Sequence, residues 1–165
     1  MRATDFTPSD APVLLDRIDR HILAVLQADG RITNAALAAR VALSPSACLA
    51  RVRRLEEAGA ITGYRAEVAV EKVRPATLIH AQVSLGRHQP EDFAAVERLF
   101  RDDPRVIEAD EISGQSDYQV KVLVRSMAEW RALTASWTGT DSPIARVTSS
   151  VAMHPTKPFS GFPLD

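Results

Sequence analysis

Five arginines lie within a stretch of the chain whose only acidic residues are Glu56 and Glu57: Arg40, Arg51, Arg53, Arg54 and Arg65. Guanidinium groups bind phosphate oxygens and the edge of guanine, so this cluster predicts a nucleic-acid surface. The formal net charge of −1 conceals it, because residues 1–65 hold nine Lys/Arg against seven Asp/Glu, whereas residues 66–165 hold eleven against fourteen. A solvated helix face is the alternative interpretation.

A second candidate site is the sequence Gly114-x-x-Asp117-Tyr118. A glycine turn exposes backbone N–H groups that can bind a carboxylate, and a nearby aspartate can bind an ammonium. Those are the two charged ends of a free amino acid. A plain β-turn that the aspartate caps is the alternative.

Other chemistry finds little support in the sequence. The four histidines show no metal-binding spacing, and they are His21, His80, His88 and His154. Cys48 is the only cysteine, so an internal disulfide and a cysteine-based zinc site are excluded, and we expect it to be a small buried hydrophobe. No nucleotide-binding or serine-hydrolase motif occurs, so no cofactor is predicted.

The 165 residues also lack any apolar run long enough to span a membrane. The first twelve residues are polar and contain proline, unlike a secretory signal. We therefore expect a cytoplasmic protein without a membrane partner.

Three short helices are predicted within the first 60 residues. The first lies in the segment 15–28, in which Asp16 is the predicted N-cap. Thr33 is the predicted N-cap of the second. The third begins at Ser44-Pro45 and ends at Gly59. Two helices joined by a tight turn, with an earlier helix across them, form a helix-turn-helix, although a generic three-helix bundle fits the same pattern.

The third helix would bury Leu49, Val52 and Leu55 and present its other side to DNA. Small residues near its start allow close approach to base edges, and the arginines further along reach phosphates or guanine, with Arg53 at the flank. The predicted DNA-binding residues are Ser44, Ser46, Ala47, Ala50, Arg51, Arg53 and Arg54.

The rest of the chain alternates strands and helices in the order βαββαβ. An offset of 37 residues maps apolar positions of one half onto the other, as from Val83 to Val120 and from Ile107 to Ile144. This predicts an α+β, ferredoxin-like domain with both helices on one face of the sheet. Leu78 and Leu123 would leave the opposite face apolar, which predicts at least a homodimer.

Four stretches make the chain resemble the Lrp/AsnC (leucine-responsive, feast/famine) family of transcriptional regulators: LDRIDRHILAVLQADGRI, LSPSACLARVRRLEEAGAITGY, the βαββαβ order and SGQSDYQVKV. The resemblance implies a winged helix-turn-helix DNA-binding domain and a ligand-sensing, dimerising domain. It also implies a regulator, not an enzyme, that binds roughly palindromic double-stranded DNA, responds to an amino acid or related metabolite, and assembles from dimers to octamers. The expected segments are a flexible N-terminus 1–13, the helix-turn-helix DNA-binding domain 14–62, a connecting strand and linker 63–76, the effector-binding and oligomerisation domain 77–154 and a C-terminal tail 155–165.

The same resemblance implies which residues bind the effector: Glu111, Gly114, Asp117, Tyr118, Met127, Ser150, Val151 and Ala152. Tyr118 is expected to be half-buried at a subunit interface. In the tail, the apolar Phe159, Phe162 and Leu164 favour docking on a neighbouring subunit, and a disordered tail is the alternative.

Two other functions share this layout. One is an enzyme that decarboxylates sirohaem-type tetrapyrroles, for which His80 and Arg125 are the candidate residues. The other is an architectural protein that compacts DNA without an effector response.

Overall fold

The computed structural model describes residues 12–164, whose contacts divide them into two compact units. The first unit contains the residues up to Glu67 together with those from Lys157 onward, and the second runs from Val68 to Thr156. Of the predicted N-terminal segment 1–13, all but Pro12 and Val13 lies outside the described residues.

The first unit is built on three helices: α1 (Arg17–Ala28), α2 (Asn34–Arg40) and α3 (Pro45–Glu57). Each begins at a predicted N-cap whose side chain accepts a backbone N–H, namely Asp16, Thr33 and Ser44. Pro45 occupies the first turn of α3, where its missing N–H costs no hydrogen bond.

The turn between α2 and α3 produces the helix-turn-helix. The two helices meet at 98°, within the range typical of this motif. Ala42 provides the bend with a φ of +55°, a left-handed conformation uncommon for a residue with a side chain. Around the turn a small core forms from Ile22, Leu37, Cys48 and Leu55, each at most 3% exposed.

After α3 the chain is extended and then makes a short 3₁₀ turn at Val70–Lys72. None of the described residues 63–76 is in a strand, where the prediction allowed a strand or an extended connector. A strand needs a neighbouring strand that supplies hydrogen-bonding partners, so the connecting strand stays a prediction.

The second unit is a four-stranded antiparallel sheet with two helices. The strands are β1 (Thr77–Leu85), β2 (Val106–Glu111), β3 (Tyr118–Val124) and β4 (Ile144–Val151), in the spatial order β2-β3-β1-β4. Helix α4 (Pro90–Asp102) joins β1 to β2, and α5 (Met127–Trp137) joins β3 to β4. The predicted ferredoxin-like order is confirmed.

Alternation along the central strands explains the core of this unit. Ile79, Ala81 and Val83 of β1 are fully buried, as are their β3 partners. Against them pack aromatic side chains from both helices, with Phe100 and Trp130 each edge-on to Trp137. The 37-residue repeat fails at Ile107, which is 55% exposed because the register shifts between Val106 and Glu108.

The opposite face of the sheet differs from the prediction. Leu78 and Leu123 do pair across the strands, but the central positions beside them carry polar side chains, with His80 opposite Lys121 and Gln82 opposite Gln119. This face is therefore apolar at one end only. The extended apolar surface on which the dimer prediction was based is not present in the described sheet.

The C-terminal tail packs on the first unit of its own chain, which differs from the predicted contact with a neighbouring subunit. The Gln27 side chain of α1 accepts the backbone N–H of Phe162 at 2.6 Å and donates to its carbonyl at 3.1 Å. Leu164 joins the helix-turn-helix core, whereas Phe159 and Phe162 contact each other and are largely exposed.

Candidate nucleic-acid interface and effector site

The inward face of α3 is shifted from the predicted one. Cys48 and Leu55 are fully buried and Val52 is half-buried, so these three residues form the inner face. Cys48 is the small buried hydrophobe that the sequence predicted. Leu49 was predicted to be buried, but it is 39% exposed and lies on the outside.

An ionic cluster joins α3 to the start of α1. The Arg51 guanidinium donates to Asp16 at 2.6 Å and to Asp19 at 2.8 Å, and Arg54 donates to Asp19 at 2.5 Å. The Asp19 side chain is only 1% exposed and also accepts the backbone N–H of Asp16. These contacts fix the rotation of α3 against α1.

The electrostatics of this cluster favour the ionised aspartate. Burial alone would raise the pKa of Asp19, but hydrogen bonds from Arg54, the Asp16 backbone and Arg51 outweigh that cost and lower the pKa to about 2. Arg51 and Arg54, which were both predicted to contact DNA, direct their guanidinium groups to a buried carboxylate, and their contact with DNA stays a prediction. Half of the Arg54 side chain stays exposed at the edge.

Over the first nine residues of α3, the outer face is made of small residues with one leucine and one arginine. Ser46, Ala47, Ala50 and Arg53 are exposed as predicted, and Arg53 lies on this face in place of the flank assigned to it. Ser44 caps the helix through the Ala47 N–H, and its hydroxyl lies 3.2 Å from that of Ser46. The side chain of Asn34 donates to the Pro45 carbonyl at 2.8 Å, which fixes α2 to the start of α3.

In the second unit, the Gly114-x-x-Asp117 segment is a tight connection between β2 and β3. Gly114 has a φ of +128°, a conformation that other residues rarely adopt. The Asp117 carboxylate accepts the Leu85 N–H at 2.7 Å and lies 2.8 Å from Nε2 of His88. Burial would raise the pKa of Asp117, yet these two hydrogen bonds lower it overall.

Tyr118 belongs to the core and not to a half-buried interface position as expected. Its side chain is 2% exposed and contacts Phe93 and Phe100. Its hydroxyl has no hydrogen-bond partner among residues 12–164, and burial, with nearby carboxylates, raises the pKa of Tyr118 to about 12.

The predicted effector residues form two groups in the described chain. Glu111 pairs with Tyr118 at the end of the sheet where Gly114 and Asp117 lie. Met127 starts α5 just beyond the other end of β3, and the segment 150–152 ends β4 beside the start of β1. The seven residues of β3, which are six steps along the strand, separate the two groups by about 20 Å.

A scan against protein-family models matches both units of the chain. Residues 15–62 match a model described as winged helix-turn-helix DNA-binding, and residues 79–162 match the Lrp/AsnC ligand binding domain. The chain belongs to the Lrp/AsnC family of transcriptional regulators.

Curated relatives and solved structures agree with this assignment. This family member is 40% identical over 132 residues to the transcriptional regulatory protein DoeX of Halomonas elongata, covering 80% of this chain and 84% of DoeX. It is 41% identical over 119 residues to the leucine-responsive regulatory protein of Escherichia coli, covering 72% and 73%. A Neisseria meningitidis transcriptional regulator, solved as a complex with L-Met, superposes with a TM-score of 0.86 at 30% identity, covering 92% and 98%.

The alternative of a tetrapyrrole-decarboxylating enzyme gains no support in this Lrp/AsnC-family protein, because these relatives are regulators. His80 lies on the polar face of β1, and Arg125 follows β3 with its backbone N–H bonded to Glu129. Among residues 12–164, no group of three His, Cys, Asp or Glu side chains could hold a metal ion. No single described helix is long and apolar enough to cross a membrane.

Sequence reasoning missed the ionic role of Asp19 in this family member. The residue was interpreted only as a favourable charge in the first turn of α1. A signal was present, since Asp16 and Asp19 are the acidic residues of α1 and its cap, while α3 carries three arginines. Only the packing of the two helices shows which of them meet.

Proposed function

We propose that this regulator binds roughly palindromic double-stranded DNA as a homodimer or a larger assembly, and that an amino acid modulates this binding. The outer face of α3 carries the proposal: it is exposed, free of acidic side chains over its first nine residues, and bordered by small residues. An α-helix fits the major groove, and a dimer with two-fold symmetry binds a DNA site with matching two-fold symmetry. The cytoplasm, where the DNA of a bacterial-type regulator lies, is the expected location.

We assign DNA contact to the residues that α3 presents outward, which are Ser44, Ser46, Ala47, Ala50 and Arg53. Arg53 is the arginine of α3 that makes no ion pair among the described residues, so its guanidinium is available for a phosphate. Arg51 supports the interface from behind by holding α3 on α1, and the half-exposed Arg54 contributes at its edge.

We assign effector binding to the two groups of residues at opposite ends of the sheet. One copy cannot enclose a small ligand between groups about 20 Å apart, so a second copy is needed to complete each site. The groups to be joined are Glu111, Gly114, Asp117 and Tyr118 from one end, and Met127, Ser150, Val151 and Ala152 from the other. A site shared in this way couples effector binding to dimer and octamer assembly.

An amino acid is the effector class that this arrangement favours. Backbone N–H groups around Gly114 can bind a carboxylate, and Glu111 supplies a carboxylate for an ammonium, because the oxygens of Asp117 already bind Leu85 and His88. Relatives point the same way, since one is named leucine-responsive and another was solved with L-Met.

DNA binding is tested by mobility-shift titrations at several salt concentrations, with DNA selected from random sequence by the unmodified protein. Arg53→Ala should weaken binding and reduce the slope of log K against log salt by about 1, since one phosphate contact is lost. Arg98→Ala removes an exposed arginine of α4 in the other unit and should bind like the unmodified protein. Equal binding and equal salt slopes for both variants would contradict the assignment.

Effector binding is tested by thermal unfolding in the presence of each of the twenty amino acids. A ligand that binds only the folded state must raise the melting temperature. If none of the twenty changes either the melting temperature or the oligomer mass, the DNA-compacting role without an effector becomes the better description.

A further inference from the structure

The outer face of α3 carries one large apolar side chain, that of Leu49. It is 39% exposed and does not belong to the helix-turn-helix core, which takes in Cys48 and Val52 on either side of the inner face. Single exposed leucines are common on proteins, so exposure alone decides nothing. The position of Leu49 is what matters, one turn after Ser46 and one turn before Arg53.

The neighbours of Leu49 let it reach a base edge. Ser46 and Ala50 are short, so the leucine side chain extends beyond them on this side of the helix. Of the three arginines of α3, Arg51 and Arg54 direct their guanidinium groups to Asp19, and Arg53 makes no ion pair among the described residues. The reading surface is therefore largely apolar where Leu49 lies, with one available cation a turn further along.

In the major groove, the apolar group that distinguishes one base from the others is the C5-methyl group of thymine. We propose that Leu49 is a specificity-determining residue that packs against a thymine methyl group in each half-site. The proposal rests on the proposed function, because it requires α3 to enter the major groove. It predicts a preference for thymine that depends on the methyl group and not on hydrogen bonding.

Replacing thymine by uracil tests this directly, since uracil lacks only that methyl group. On DNA selected by the unmodified protein, each thymine is replaced in turn by deoxyuridine and the affinity is measured by fluorescence anisotropy. At the contacted thymine the affinity should fall about fourfold, the effect of exposing one buried methyl group. The same replacement should leave the affinity of Leu49→Ala unchanged.

Matched variants separate packing from fold. Leu49→Met keeps an apolar side chain of similar reach and should retain sensitivity to uracil. Because Leu49 lies outside the core, Leu49→Ala should melt like the unmodified protein. If Leu49→Ala fails to fold, the proposal is tested by comparing the unmodified protein with Leu49→Met. Both must lose affinity when the same thymine is replaced by uracil.

The outcomes distinguish the two proposals. If the unmodified protein selects no DNA, the proposed function fails. If it binds DNA but no thymine-to-uracil replacement reduces its affinity, or the reduction persists fully in Leu49→Ala, only the role of Leu49 is overturned. A change in oligomer mass caused by Leu49→Ala would also overturn it, because the leucine would then lie against another subunit.

Discussion

The ionic cluster beneath α3 gives a quantitative prediction for Asp19→Asn. This substitution keeps the size of the side chain and one acceptor oxygen but removes the charge that Arg51 and Arg54 bind. The side chains of Arg51 and Arg54 are 30% and 49% exposed, so water can solvate their guanidinium groups after the change. The loss should therefore be smaller than for a wholly buried ion pair.

The magnitude follows from the pKa of Asp19. Lowering a carboxyl pKa from 3.8 to about 2 on folding stabilises the folded protein by about 2 kcal/mol at neutral pH. For a unit of this size, that loss should lower the melting temperature of the first unit by about 10 °C. Amide hydrogen exchange in α1 and α3 should accelerate about 30-fold.

The pH dependence has a defined sign. A depressed pKa stabilises the fold above the unfolded-state value of 3.8, and the contribution disappears as pH falls from 3.8 through about 2. The difference in free energy of unfolding between the unmodified protein and Asp19→Asn should hold constant from pH 7 to about 5 and then shrink toward pH 2.

Calorimetry and hydrogen exchange of the full chain provide the assay. Asp29→Asn is the control, because Asp29 is exposed at the end of α1 and an amide oxygen can still accept the Arg31 N–H. Its effect should stay within about 0.5 kcal/mol. If Asp19→Asn is as stable as this control at pH 7, the cluster does not hold α3 on α1 and our account of Arg51 and Arg54 is refuted.

Three further substitutions test other parts of the structure. Asp117→Ala removes the acceptor that links the start of β3 to the end of β1 and to His88, and chemical denaturation should show a loss of about 2 kcal/mol; an unchanged midpoint would show that the turn does not depend on it. Gln27→Ala removes both hydrogen bonds to Phe162, so hydrogen exchange at the tail should accelerate about tenfold, and unaltered protection would place the anchor elsewhere. Tyr118→Phe removes a buried hydroxyl that has no partner in the described part of the chain, so the melting temperature should stay equal or rise; a clear fall would reveal a hydrogen bond to that hydroxyl.

Local signals in the sequence were sufficient to predict where the helices begin and the βαββαβ order of the second unit. Ser44-Pro45 and Asp16 act within a few residues of the chain, and a cap needs only its own helix. The alternation in β1 and β3 predicted the buried faces because a strand between two neighbours has only two sides. Such features depend on near neighbours and can be read without the fold.

The rotation of α3 could not be predicted in the same way. Cys48, Leu49, Val52 and Leu55 are all apolar, and their spacing allows two inner faces that differ by one residue. The contact of Arg51 with Asp19, 32 residues earlier, coincides with the face that turns Leu49 outward. A sequence pattern cannot weigh an ion pair between residues so far apart.

The sequence by itself determined that this is a two-part chain with a helix-turn-helix and a βαββαβ unit, because periodicity and capping are local properties. Tertiary structure decided which charges of α3 face outward, where the tail packs, and that the two groups of predicted effector residues lie at opposite ends of the sheet. Each of these depends on contacts between residues distant in sequence, where burial and charge pairing compete. The basic stretch is present in the sequence, but the fold pairs Arg51 and Arg54 with the buried Asp19, whereas Arg53 makes no ion pair among residues 12–164.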